Sequence, residues 1–154
     1  MGMQKLLLPY NFTERDRNAL EFTANTFAPH ADVEVTLFHA YLSLPEVDIQ
    51  DQQVTERLKG GMGYLQAKIS ELETEFQNVR DELIDRGFPP ARVRAVFRPR
   101  KKEVLDAILD LHHRERFNLI VVSRRPGRIG RFFAGSLHSK LIAALTNVTI
   151  CVVS

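Results

Sequence analysis

The sequence Asn118–Ser136 (NLIVVSRRPGRIGRFFAGS) decides how the rest of the chain is organised. It begins with the apolar run Leu119–Val122, which stops at Ser123 and opens into a loop rich in arginine and glycine. A buried strand, a glycine-rich turn and a helix start are the parts of a phosphate site, because helix N-terminal N–H groups and arginines both favour an anion. The loop residues that we expect to bind it are Arg124, Arg125, Gly127, Arg128, Gly130, Gly135, Ser136 and Leu137.

Strand and helix patterns alternate along the chain on both sides of this loop. Short apolar runs predict five strands, at Lys5–Tyr10, Val33–Ala40, Val93–Arg98, Leu119–Val122 and Val148–Val153. This alternation predicts a single α/β domain over residues 1–154, with a Rossmann-like open parallel sheet in the order 3-2-1-4-5 and helices on both faces. In that order strands one and four border one cleft, and ligands bind at such strand ends. The strand-end residues that we expect to line the cleft are Pro9, Tyr10, Asn11, Ala40, Val122 and Ser123.

The helix boundaries follow from capping and breaking residues. Thr13 and Asp16 have the spacing of a capping box, in which the Asp16 side chain reaches back to the N-cap. Some of Val54–Lys59 has a helical pattern, but we expect the glycines at 60, 61 and 63 to break it. A clear helix then begins at Leu65. Its inward face is predicted to hold Leu65, Ile69, Leu72, Phe76, Val79 and Leu83.

Two further predictions concern the second half of the chain. The third strand alternates apolar and basic residues, which indicates an edge position. The basic residues that follow it, Arg98, Arg100, Lys101 and Lys102, are expected to form an exposed patch separate from the cleft. The last helix is predicted to point Leu137, Leu141, Ile142 and Leu145 inward.

Composition excludes several classes of protein. A net charge of +2 in 154 residues is too small to indicate specific nucleic-acid binding. The single cysteine, Cys151, excludes an internal disulfide framework, and the scattered histidines do not form a metal-binding set. No apolar run approaches the ~20 residues that cross a bilayer, so we expect no membrane association. The apolar part of the N-terminus is too short for a secretory signal, and we therefore expect a cytoplasmic protein.

Three stretches resemble the universal stress protein family in sequence, order and spacing. KLLLPYNFTE at residues 5–14 is similar to the opening strand of that family. LIVVSRRPGRIGRFFAGS at residues 119–136 is similar to its glycine-rich fourth-strand loop, and VTICVV at residues 148–153 to its closing strand. The resemblance covers nearly the whole chain.

This resemblance implies an adenine-nucleotide site with altered residues. Gly135 and Ser136 match the end of the family motif, but Ser123 replaces its first glycine, the loop is one residue short, and Asn11 replaces its aspartate. The implied cofactor is ATP or AMP, with Mg²⁺ only if the nucleotide carries it. A nucleotide or other phosphate bound in an altered way, and a site that has lost its ligand, both fit these substitutions.

The resemblance also implies a homodimer that pairs through residues 148–153. The alternative to a nucleotide-binding stress-response protein is therefore a nucleotide-free dimeric module that recruits a regulatory protein partner. An enzyme of the related hydrolase-like folds is disfavoured, because no Asp or Glu accompanies the loop to hold Mg²⁺. At most weak ATP hydrolysis is expected.

Overall fold

Strands and helices alternate throughout the computed structural model, which describes residues 2–44, 52–124 and 137–154. The strands are β1 (Gln4–Pro9), β2 (Val33–Leu42), β3 (Val93–Arg100), β4 (Leu119–Ser123) and β5 (Thr149–Val153). The helices are α1 (Glu14–Phe27), α2 (Gln52–Asp85), α3 (Val104–Glu115) and α4 (Leu137–Ala144), with a 3₁₀ turn at Pro90–Arg92. The predicted alternation is confirmed.

All five strands lie parallel in one sheet with the order β3-β2-β1-β4-β5. At the centre, Leu6 of β1 is in register with Val35 of β2 on one side and with Leu119 of β4 on the other. The chain leaves β1 toward β2 and β3 and then crosses back to β4, so the winding reverses between β1 and β4. The predicted fold class, strand order and edge position of β3 are confirmed.

The core has two layers because successive β1 side chains point to opposite faces of the sheet. Leu6 and Leu8 pack with Leu20 of α1 and Phe76 of α2 on one face. On the other face Leu7 packs with side chains of α3, β4 and α4, among them Ile108, Ile120 and Leu141. Burying each such side chain contributes about 1.5–3 kcal/mol, so the central strand is held from both sides.

Helix α2 corrects the prediction for the segment around residue 60. It runs without interruption from Gln52 to Asp85, through all three glycines that were expected to break it. Each glycine costs only ~1 kcal/mol relative to alanine. The fully buried Phe76 and Leu83 anchor the C-terminal part of the helix against the sheet. The packing of the C-terminal part of α2 therefore outweighs the low helix propensity of the glycines in its N-terminal part.

The predicted inward face of α2 is only partly correct. Its 34 residues span roughly 51 Å at ~1.5 Å per residue, whereas the 10 residues of β2 span roughly 33 Å. The helix is thus longer than the sheet that it covers. Leu65, which was expected to point inward, is 42% exposed, and the neighbouring Tyr64 is 63% exposed.

Helix α4 corrects a second inward prediction. Leu141 is fully buried, but Ile142 is 57% exposed. Helix α4 packs on β5, the edge strand, where the sheet ends and only one side of the apolar helix face is covered. None of the helices in the described part of the chain combines the length and hydropathy needed to cross a lipid bilayer.

Candidate functional site

The carboxyl ends of β1, β2 and β4 border a small cavity where the winding of the sheet reverses. Its volume is about 40 Å³ among the described residues. The structure brings together seven of the residues that were expected at the cleft, namely Pro9, Tyr10, Asn11, Ala40, Val122, Ser123 and Leu137. Sequence reasoning missed the other four that line it, Asp16, Phe38, His39 and Val104.

Asp16 is the polar centre of this cavity and is only 6% exposed. One carboxylate oxygen accepts a hydrogen bond of 2.7 Å from the backbone N–H of Asn11. The other accepts a bond of 2.6 Å from the hydroxyl of Ser123. Asp16 therefore ties the end of β1 to the end of β4 across the cleft.

These bonds correct the expected capping box at the start of α1. Thr13 is the N-cap, and its hydroxyl accepts a bond of 3.1 Å from the backbone N–H of Asp16, as predicted. The Asp16 side chain does not make the return bond to the N-cap, because its oxygens are directed to Asn11 and Ser123. The spacing that identified Asp16 as a capping residue thus concealed its role at the cleft.

His39, which lines the cavity on the β2 side, belongs to an aromatic cluster. The imidazole of His39 is stacked on Phe97 with ring centroids 5.5 Å apart, and Phe12 meets it edge-on at 5.1 Å. Its Nδ1 lies 2.8 Å from the carbonyl oxygen of Tyr10. A carbonyl oxygen can only accept, so Nδ1 carries the proton in neutral His39. This bond gives His39 a structural role at the end of β1.

Burial lowers the pKa of His39 below its ordinary value, and the positive charge of Arg100 acts in the same direction. The hydrogen bond to the Tyr10 carbonyl and the negative charge of Asp16 act against this shift. Neutral imidazole is therefore the favoured form in the folded protein. It presents no positive charge to a phosphate ligand at neutral pH.

The predicted phosphate loop is described only at its two ends. The backbone N–H of Arg124 continues the β4–β5 pairing with a bond of 2.7 Å to the carbonyl of Val153. The Arg124 carbonyl accepts a bond of 2.7 Å from the Arg15 guanidinium. The predicted ligand residues Arg125, Gly127, Arg128, Gly130, Gly135 and Ser136 lie outside the described residues.

The basic segment Arg98–Lys102 lies closer to the cleft than predicted. Arg100, Lys101 and Lys102 line an open cavity of about 850 Å³ that also touches Asn11, Leu137 and Lys140 of α4. Its expected separation from the cleft is therefore wrong for these three residues. The connection is short, because β3 ends at Arg100 and α3 begins at Val104, so Lys101 and Lys102 stay near the strand ends.

Outside the cleft, Cys151 and His112 are titratable side chains with shifted pKa values. Among the described residues, no cluster of three or more His, Cys, Asp or Glu side chains is arranged to bind a metal ion. Burial raises the pKa of the Cys151 thiol, which disfavours the reactive thiolate. The imidazole of His112 accepts a bond from the backbone N–H of Phe117 at the end of α3, which is a structural role.

Solved structures with the same architecture show which fold this is. UspA, the universal stress protein from Lactobacillus plantarum, superposes with a TM-score of 0.69 at 13% sequence identity, over 100% of this chain and 99% of its own. The chain has the universal stress protein fold. The resemblance drawn from the sequence is thereby confirmed at the level of the fold.

Other structures with the universal stress protein fold also match over nearly the whole of this chain. The protein from Archaeoglobus fulgidus, solved in complex with dAMP, has a TM-score of 0.62 at 18% identity and covers 99% of this chain and 98% of its own. An Arabidopsis thaliana family protein with AMP bound has a TM-score of 0.62 at 14% identity and covers 97% of this chain and 90% of its own. No model of a known protein family matches the sequence, and no curated protein does either.

Proposed function

We propose that this chain is a universal-stress-type regulatory protein that binds an adenine nucleotide, AMP or ATP, or a similar phosphate ligand, at the β1–β4 cleft. The observation that carries the proposal is the Asp16 bridge, which holds Asn11 and Ser123 at one cavity. The dAMP and AMP complexes of proteins with this fold support the choice of ligand.

The polar groups of the cleft favour the nucleoside end of such a ligand. The side-chain amide of Asn11 is exposed and offers one acceptor and two donors. The hydroxyl proton of Ser123 is committed to Asp16, so its oxygen accepts rather than donates toward a ligand. The Asp16 carboxylate attracts donors such as ribose hydroxyls and repels phosphate. We therefore expect the phosphates to lie away from Asp16.

Titration of AMP, ATP and inorganic phosphate, followed by thermal unfolding, tests the proposal. A ligand at 100 times its Kd stabilises the folded state by about 2.7 kcal/mol. Asn11→Ala removes the amide but keeps the backbone bond to Asp16, so it should weaken nucleotide binding without loss of the fold. The exposed Asn18 of α1, changed to Ala, is the matched control. No saturable shift of the wild-type protein with either nucleotide would overturn the proposal.

The second candidate function is a nucleotide-free homodimeric module that recruits a protein partner through its dimer surface. The observation that favours it is the position of β5 at the edge of the sheet, with an apolar sequence and Val152 38% exposed. An exposed apolar edge strand is a template for pairing with another chain. The dimer should form in the absence of nucleotide, and Val152→Lys should convert it to a monomer in light scattering. Leu42→Lys, at an exposed position on β2, is the control that should remain dimeric.

A further inference from the structure

A continuous groove leads from the nucleotide cleft to the basic segment. The open cavity of about 850 Å³ is lined by Asn11 and also by the basic residues Arg100, Lys101, Lys102 and Lys140. It shares Asn11 and Leu137 with the smaller cavity around Asp16. A ligand seated at Asn11 can therefore extend into the basic end without leaving the protein surface.

The electrostatics of the groove change sign along its length. Asp16 places a negative charge at the smaller cavity, whereas four cationic side chains line the larger one. Glu103 and Asp106 are the carboxylates in the same cavity, and both accept hydrogen bonds in the capping box of α3. The four cationic side chains outnumber these two carboxylates in the lining of the cavity. The nucleoside end of a ligand is favoured near Asp16 and its phosphates near the cations.

Arg100 is held in place before any ligand arrives. Its Nε donates to the carbonyl of Ala40 at 3.2 Å, and its Nη1 donates to the carbonyl of Lys102 at 2.8 Å. The first bond holds the guanidinium near the end of β2. The second holds the backbone at Lys102 against the same guanidinium. Little conformational freedom of this arginine remains to be lost on binding.

A second cavity continues the groove beyond Arg100. Its volume is about 430 Å³, its base is apolar, with Phe38, Ala40 and Leu111, and its rim carries Arg98 and Arg114. Arg100, Lys101 and Lys102 line this cavity as well. Arg100, Lys101 and Lys102 are thus shared by the two larger cavities.

We infer that Arg100, Lys101, Lys102 and Lys140 form a polyphosphate subsite, which takes the phosphate chain of a nucleotide seated at Asn11. This inference rests on the proposed nucleotide function and is separate from the arginine loop after β4. The phosphate chain has two chemical sources. It belongs to a nucleoside triphosphate, or it joins two nucleosides, in which case the second base occupies the cavity with Arg114 on its rim.

Calorimetric titration of the full chain with inorganic tripolyphosphate, AMP, ATP and diadenosine tetraphosphate tests the subsite. Lys101→Ala/Lys102→Ala should weaken tripolyphosphate and ATP about tenfold or more, since hydrogen bonds to charged groups are lost, and AMP less than about twofold. Lys68→Ala/Arg80→Ala removes the same net charge from α2, at residues that do not line the cavities, and should change none of these affinities. Lys102→Ala alone should give an intermediate loss.

Each outcome decides a separate claim. Equal tripolyphosphate binding by wild type and Lys101→Ala/Lys102→Ala, or no binding by either, overturns the subsite, and AMP binding then still supports the nucleotide cleft. Tripolyphosphate binding that needs the two lysines supports the subsite even if AMP fails to bind. If diadenosine tetraphosphate binds more tightly than ATP and Arg114→Ala removes the difference, the phosphate chain is that of a dinucleotide. Equal affinities of the two ligands assign it to a mononucleotide.

Discussion

The hydroxyl of Ser123 donates a 2.6 Å hydrogen bond to the carboxylate of Asp16, a residue 107 positions earlier in the sequence. In this way the first turn of α1 is fastened to the end of β4. The same carboxylate accepts from the backbone of Asn11, so the mouth of the cleft has one polar support. A single side chain thereby connects the ends of the two strands that border the candidate site.

Replacing Asp16 should destabilise the protein because its two buried bonds cannot both survive. Asp16→Asn offers one acceptor oxygen where two are used, and the free energy of unfolding should fall by about 1–3 kcal/mol. Urea unfolding measures it. Glu14→Gln removes a negative charge from the same helix turn at an exposed position and controls for the helix-dipole effect. Equal losses in the two variants would show that the bridge contributes nothing.

His39 should make stability depend on pH in the acidic range. Its folded pKa is lowered by burial, whereas an unfolded histidine titrates at about 6.5. Below that pH the unfolded chain binds a proton that the folded protein binds less well, so stability should fall as pH decreases. His39→Phe should reduce this slope in unfolding measured at a series of pH values.

Part of the pH dependence of stability should persist in His39→Phe. The reason is that burial also lowers the pKa of His112, which makes stability fall with decreasing pH in the same way. His113→Gln controls for the loss of an exposed imidazole. A wild-type stability that rises as the pH drops below about 6.5 would contradict the assignment of a neutral, buried His39.

Two glycines should respond in opposite directions to alanine. A Cβ at Gly61 of α2 meets no atom within 4 Å, so Gly61→Ala should favour the helix by about 0.5–1 kcal/mol. Amide hydrogen exchange around residue 61 should slow about two- to fivefold in consequence. Gly87 has φ +124°, which side chains rarely adopt, so Gly87→Ala should lower the urea midpoint by the equivalent of about 1–3 kcal/mol. Stabilisation by both substitutions would contradict the observed backbone at Gly87.

Cys151 should react slowly with thiol reagents. Burial raises the pKa of its thiol and limits access to it on β5. We expect modification severalfold slower than that of an exposed cysteine, and full reactivity in urea. Cys151→Ser/Ala144→Cys moves the thiol to an exposed position on α4 and supplies the comparison. Equal rates for the two proteins would contradict the burial of Cys151.

Sequence alone predicted most of the fold because the signals that determine it are local. The run Leu119–Val122 and the cap at Thr13 specify their elements without help from distant residues. The errors occurred where distant packing decides. The glycines of α2 are tolerated because Phe76 and Leu83 anchor the same helix elsewhere. Such compensation is not visible in a short window of sequence.

The candidate site was predicted less completely than the fold. Asn11 and Ser123 were found from their places at the strand ends, and the structure lines one cavity with both. Asp16 was missed because a first-turn acidic residue already has an adequate local explanation. The link between the basic segment and Asn11 depends on where the connection between β3 and α3 lies, which spacing does not specify.

The pairing of the central strand has a consequence for how the protein is made. Leu6 pairs with Leu119, and the backbone N–H of Lys5 donates a hydrogen bond to the side-chain oxygen of Asn118, which lies 113 residues further along the sequence. During synthesis β1 therefore leaves the ribosome long before its neighbour on that side exists, and one edge of a very apolar strand stays open meanwhile. Folding that waits for such remote partners is slow, and we expect the nascent chain to depend on chaperones until β4 has emerged.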